Sequence, residues 1–300
     1  MKKLLLCLVA SFLLASCKPV DLNAAVPVFD TAVDPESWAK IPSGEFLKGQ
    51  FNEEAVIEYD YEMMVTDVTN AQYAAFLNEA LASNDAIKDN KLIVGPYPGD
   101  TFNGYRHEEE IPAGNYLYID IIDPALRLNF DGNTFSAKAG YENHPMTMVS
   151  WFGARAYCEY YGWRLPSEVE WEKAARGTDG RPFPWGEKIT RNIANFTFSR
   201  DPFEDMSAYG SNTTPVGFYN GKSYAGYQTL NNASPYGLYD MAGNVWQWTG
   251  NVYPDQHYRY MRGGSKNLYE NTLRVWVTNN ATPTFTSPAV GFRCARSGQE

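Results

Sequence analysis

Three stretches of the chain repeat apolar residues at helical spacing. Thr69 is placed to cap a helix from Asn70 to about Leu81, with Tyr73, Phe76, Leu77, Ala80 and Leu81 along one face. Ser150 is placed to cap a second, with Trp151, Ala154, Cys158 and Tyr161 on one side and Gly162 at its end. Ser167-Glu168-Val169-Glu170 has the reciprocal capping pattern that opens a third. There Trp171, Ala174 and Ala175 point inward and Gly177 stops the helix. Elsewhere no apolar period lasts. Residues 115–136 alternate in places around Asp131-Gly132, a hairpin signal. The second half is dense in Gly, Asn and Pro. The pattern predicts an α+β domain of short strands, few helices and much irregular loop. From Trp38 to the end there is no linker and no internal repeat, so residues 38–300 read as one domain.

The N-terminus has a different character. Lys2 and Lys3 precede an apolar run, Leu4 to Leu14, that falls short of the roughly 20 residues a membrane-spanning helix needs. Leu14-Ala15-Ser16-Cys17 resembles the bacterial lipobox, in which cleavage falls before a cysteine that is then lipidated. Residues 1–16 are expected to be a lipoprotein signal peptide, with Cys17 the lipid carrier and residues 17–37 a lipidated tether. Several acyl chains make a lasting anchor. Lys18, where an Asp would favour inner-membrane retention in some bacteria, favours the outer membrane and so a cell-envelope location.

Charge narrows the partners. The chain has 25 basic and 35 acidic residues. Loss of Lys2 and Lys3 with the signal leaves 23 against 35, a net of −12. That excludes the basic face a nucleic-acid partner requires, and it suits hard cations, which take oxygen ligands. Of four cysteines, Cys7 leaves with the signal and Cys17 takes lipid. Cys158 and Cys294 remain, to form one disulfide in an oxidising compartment or to stay as separate buried thiols.

The informative run is residues 143–177, NHPMTMVSWFGARAYCEYYGWRLPSEVEWEKAARG. IPSGEFLKG at 41–49 and TDVTNAQYAAF at 66–76 precede it. FPWG at 183–186, TTPVGFY at 213–219, YGLYDMAGNVWQW at 236–248, RGGS at 262–265 and GFRCAR at 291–296 follow. In this order, over roughly residues 40–297, they resemble the formylglycine-generating enzyme family, also called the sulfatase-modifying-factor family. The resemblance implies a single loop-rich domain related to the C-type lectin-like fold, here with an insertion at about residues 83–141. It also implies that Cys158 and Cys294 form the family's structural disulfide. Active members oxidise a client sulfatase cysteine to formylglycine with oxygen and copper, the copper held by two cysteines. Soft thiolates suit Cu(I). Those two positions fall here on Leu268 and Leu273, which offer no thiol, so no copper and no catalytic residue are expected.

A related branch binds non-haem iron through histidines. Here there are only His107, His144 and His257, scattered without metal-binding spacing, and the run His107-Glu108-Glu109-Glu110 reads as a solvated loop. Calcium is the better supported ligand. The resemblance places one ion on Asp240, Gly243, Val245 and Gln247, and a second on Asn195 and the carbonyl of Phe196, with Asp201 or Asp205 as acidic partner. Trp246, Ser265, Asn267, Leu268 and Arg274 would surround the place where clients cross, with Tyr258, Tyr260 and Tyr269 close in sequence. The expected function is a lipid-anchored, non-catalytic binding or scaffold component of the cell envelope. Two alternatives are an oxidoreductase with atypical chemistry in the same cleft and a carbohydrate-binding module.

Overall fold

A computed structural model describes residues 25–100, 110–204, 212–252 and 257–298. Its helices are α1, Asn70–Ser83; α2, Trp151–Tyr160; and α3, Glu168–Arg176. Each starts at the residue its cap predicts. The Thr69 hydroxyl accepts the Gln72 N–H at 3.2 Å, and the Gln72 side chain accepts the Thr69 N–H at 2.9 Å. Ser150 caps α2 through the Gly153 N–H at 3.1 Å. Ser167 and Glu170 close the reciprocal box of α3 at 3.2 and 2.7 Å. α1 runs past Leu81 to Ser83 because the chain turns out only at Asn84, which takes a left-handed conformation with φ 67°.

The strands are short and belong to several small sheets. Tyr61–Met64 lies between Trp38–Ile41 and Ala295–Ser297, antiparallel to both, so the end of the domain is stitched to its beginning. Trp246–Val252 pairs antiparallel with Arg259–Arg262 and parallel with Val290–Gly291, and Thr278–Ala281 extends this sheet. Residues 83–141, the expected insertion, hold a meander, Ile87–Asp89, Leu92–Tyr97 and Gly114–Asp120, followed by the hairpin Leu128–Phe130 with Phe135–Ala137. The hairpin turns at Asp131-Gly132, where the Asp131 carboxylate accepts the N–H groups of Asn133 and Thr134, both at 2.8 Å. Asn78 of α1 pins it by bonding both the N–H and the carbonyl of Phe135.

Two main cores result. One lies under α1 and α2, with Tyr73, Phe76, Tyr157, Trp248 and Phe292 buried together. The Cys158–Cys294 disulfide crosses it, joining α2 to the residue just before the last strand. The other lies under α3 and holds Trp171, Met241 and Val275. α3 also buries charge. Glu172 pairs with Arg176 at 2.8 Å and with Arg262 at 3.2 Å, and Arg262 reaches Glu168 at 2.9 Å.

The expected tether boundary at residue 38 needs correction. Phe29 sits 5.9 Å from the ring of Phe203 and 5.3 Å from that of Tyr224. The carbonyl of Thr31 accepts from Asn220 at 2.9 Å and from Lys222 at 3.0 Å. Gln72 bonds the carbonyl of Pro35 and the carboxylate of Glu36. The segment is therefore packed on the domain from about Val26. Its anchors, Val26, Phe29 and Val33, are spaced three and four apart as on a helix, yet residues 25–34 form no helix, so the sequence pattern points to the wrong local structure. The residues expected to form the signal peptide and Cys17 lie outside the described residues, as do His107, Glu108, Glu109 and Asp205. No described helix is long and apolar enough to cross a membrane.

Candidate functional site

Leu268 and Leu273, the positions where the resemblance expects the family thiols, follow a glycine turn. Gly263 and Gly264 have φ of 97° and 69°, and a Cβ on Gly264 would stand 2.8 Å from the carbonyl of Thr272. This turn drops Ser265 and Lys266 into the interior. The Leu268 N–H then bonds the Ser265 carbonyl at 3.0 Å, and a short 3-10 helix, Glu270–Leu273, brings the second position back inward. Leu273 is fully buried with Phe183, Ile193, Phe196 and Ala242. Leu268 is half-buried and packs against both this cluster and the main core. Apolar packing fills both positions.

The expected cleft does not form one surface, which is a second correction. Trp246 and Ser265 are buried, Leu268 is half-buried, and only Asn267 and Arg274 of that set are exposed. The Arg274 guanidinium lies over Trp276, 5.9 Å from the ring centre. Beside them Phe198 and Tyr269, both exposed, face each other at 5.8 Å, and Phe198 holds a strained φ of 81°. Open space lies elsewhere. Two cavities of about 330 and 370 Å³ share Asn251 as a common wall. Trp151, Arg155 and Arg164 line the first; Glu168, Tyr260 and Trp276 line the second. The Asn251 side-chain oxygen accepts the first N–H of α3, from Glu168, at 2.7 Å. Burial pushes the Glu168 carboxyl up, and the Arg262 guanidinium beside it pulls the other way. Tyr258 lines neither cavity.

Lys266 carries no sequence signal beyond its place after the GGS turn, yet it is the most unusual group there. Its side chain is 4% exposed, and Nζ donates to the carbonyl of Pro288 at 2.5 Å. Burial, with the nearby Arg127 cation adding to it, pushes its amine down to about 7. His144 is also buried, Nδ1 within 2.9 Å of the Thr213 hydroxyl, and burial pushes it down to about 3, so it is neutral. Among the described residues no three His, Cys, Asp or Glu side chains gather as a metal site.

The two calcium positions differ in what their oxygens are doing. The Gln247 side-chain oxygen accepts the indole N–H of Trp171 at 2.7 Å and the Nε–H of Arg293 at 2.9 Å. An amide oxygen has two lone pairs, and both are used. Its NH2 donates to the carbonyl of Asp240 at 2.8 Å. The Asp240 carboxylate accepts the Gly217 N–H at 2.7 Å and the Asn232 amide at 3.1 Å. Gly243 and Val245 lie in the same buried turn, Gly243 at φ 86° with no room for a Cβ beside the Asn195 carbonyl. As a set these side chains do not fit a cation. At the other position Asn195 is 1% exposed and its side-chain oxygen accepts no hydrogen bond among the described residues. Among the described residues the adjoining Phe196 carbonyl accepts the Ser199 N–H, at 3.0 Å, and no other backbone donor. A buried, unengaged amide oxygen beside a carbonyl with a spare lone pair fits an oxygen-seeking cation. Asp201 is committed to Ser199, Phe203 and Tyr219.

The fold and the motifs along it define a domain of the formylglycine-generating type. A family model described as Sulfatase-modifying factor enzyme 1-like domain matches residues 26–298, and the chain belongs to that family. It is 38% identical over 162 residues to the Inactive C-alpha-formylglycine-generating enzyme 2 of Bos taurus, a match that takes in 50% of each protein. It is 30% identical over 296 residues to the Formylglycine-generating enzyme of Streptomyces coelicolor, covering 85% of this chain and 88% of that one. Its fold is similar to that of PvdO from Pseudomonas aeruginosa, with a TM-score of 0.55 at 20% identity over 91% of this chain and 99% of the other. The loop-rich mixed architecture expected from sequence is therefore the fold of this family.

Proposed function

We propose that this chain is a non-catalytic member of its family, held at the cell envelope by lipid on Cys17 and acting there as a binding or scaffold component. One observation carries the reading: Leu273, which with Leu268 falls by the motif order on a family thiol position, is packed into a closed apolar cluster. Copper chemistry of the family type needs two soft thiolates, and leucine supplies neither. The bovine relative, itself named as inactive, supports the idea that the scaffold is put to use without catalysis. Incubation of the mature protein with a sulfatase-type cysteine peptide, copper and oxygen should yield no aldehyde by mass spectrometry. Formylglycine in the product would sink the reading and favour an oxidoreductase using other groups of the same cleft. The anchor has its own test, since Cys17→Ser should release the protein from the membrane fraction. On this reading the structural cation is calcium at Asn195 and Phe196, supported by the unengaged Asn195 oxygen.

A second reading, a carbohydrate-binding surface, is favoured by the paired cavities at Asn251. Their walls combine aromatic edges with amide, hydroxyl, carboxylate and guanidinium groups, the mixture that meets sugar hydroxyls. The opposite charges are paired there: Arg155 with Glu159, Arg164 with Glu170 and Arg262 with Glu168. Binding on a glycan array that is lost in Asn251→Ala would establish it, and an array without signal would remove it.

A further inference from the structure

We infer that the turn from Asp240 to Gln247 is closed by hydrogen bonds and takes no cation, although the family resemblance places calcium there. The orientation of one amide decides this. Trp171 Nε1 and Arg293 Nε are obligate donors, with no acceptor capacity. Both point at the same end of Gln247, at 2.7 and 2.9 Å, which fixes that end as the oxygen. The NH2 must then face the turn, and it donates to the Asp240 carbonyl. A cation in that turn needs converging oxygens, whereas here it would meet two N–H dipoles aimed the wrong way.

Arg293 strengthens the case. It is fully buried, and its five N–H groups meet five oxygens. These are the Gln247 amide, the carbonyls of Met64, Val65 and Tyr239, and the Asp67 carboxylate. This guanidinium is a fixed cation at the centre of the knot. The carboxylates of Asp67, at 3.4 Å, and Asp240 balance its charge, so what weighs against a cation in the turn is that the Asp240 carboxylate oxygens are already taken by N–H donors. The substitution that decides the matter is small. A Glu at 247 would keep one oxygen on Trp171 and Arg293 and turn the other, negatively charged, toward Asp240. Gln puts a donor in that place.

The inference is separate from the calcium proposed at Asn195, and one count distinguishes them. Calcium bound per chain is measured on the mature protein, on Asn195→Ala and on Gln247→Glu, by metal analysis after dialysis against buffered micromolar calcium. Expected are one ion in the wild type, none in Asn195→Ala and one more than wild type in Gln247→Glu. No ion in the wild type, with one gained in Gln247→Glu, sinks the Asn195 site and upholds the cation-free turn. Two ions in the wild type, or one that survives in Asn195→Ala, overturn the inference. If Asn195→Ala does not fold, the comparison of Gln247→Glu with wild type decides, and no gain there overturns it.

Discussion

The backbone N–H of Thr197 donates to the carbonyl of Leu268 at 3.0 Å. The loop that carries Asn195 and Phe196 is thus strapped to Leu268, the first of the two positions where the resemblance expects a thiol. Leu273, at the second, is completely buried against Phe196 and its neighbours. Leu273→Ala should therefore cost about 2–5 kcal/mol, the range for truncating a buried leucine. Leu268→Ala, at a half-buried site, should cost clearly less. Urea unfolding of the two variants checks the order, and equal losses would mean that the cluster is not packed as described.

The Cys158–Cys294 bridge closes a loop with a sequence separation of 136, and both cysteines are fully buried. Reductant alone should leave it intact, because no thiolate reaches it in the folded protein. Replacing both with Ala should lower stability by up to about 5 kcal/mol in the chain-entropy picture. Mass analysis of alkylated protein, with and without denaturant, tests the first point. Ready reduction of the native protein would place the bridge nearer the surface.

What the sequence made legible was local or carried by motif order. The three helices start at Thr69, Ser150 and Ser167 because each cap is a bond between neighbours in the chain. The Asp131-Gly132 hairpin is local for the same reason. The non-local features were hidden. Phe29 finds Phe203 and Tyr224 across the chain, and the helix-like spacing of Val26, Phe29 and Val33 does not announce it, because the segment forms no helix. The orientation of the Gln247 amide is set by Trp171 and Arg293, 76 and 46 residues away. Lys266 looks like a surface residue until the Gly263-Gly264 turn folds it inward.

Phe29 gives the packed N-terminal segment its anchor. Phe29→Ala should loosen residues 25–37 without unfolding the domain, at a cost of about 1–2 kcal/mol, below the range for a fully buried phenylalanine. Limited digestion by a protease that cuts at Asp34 is the readout, and the variant should be clipped faster than wild type. An unchanged clipping rate would show that the hydrogen bonds of Thr31, Pro35 and Glu36 hold the segment alone.

Lys266 should make stability depend on pH in an uncommon direction. Burial pushes its folded-state amine down to about 7, while an unfolded lysine titrates near ~10.4. Between these values the unfolded chain holds a proton that the folded protein has given up. Stability then rises with pH across that window, each unit of the gap being worth at most about 1.4 kcal/mol. Below about 7 the amine is charged in both states and this contribution is flat at its lowest. The slope belongs to one group, so it can be isolated. Urea midpoints for wild type and Lys266→Met, taken between neutral pH and the start of the lysine range, should diverge. Wild type should gain relative to the variant as pH rises, because the variant has no amine to discharge. Midpoints that run parallel would show that Lys266 keeps its proton in the folded protein. Its bond to the Pro288 carbonyl would then be that of a buried ammonium.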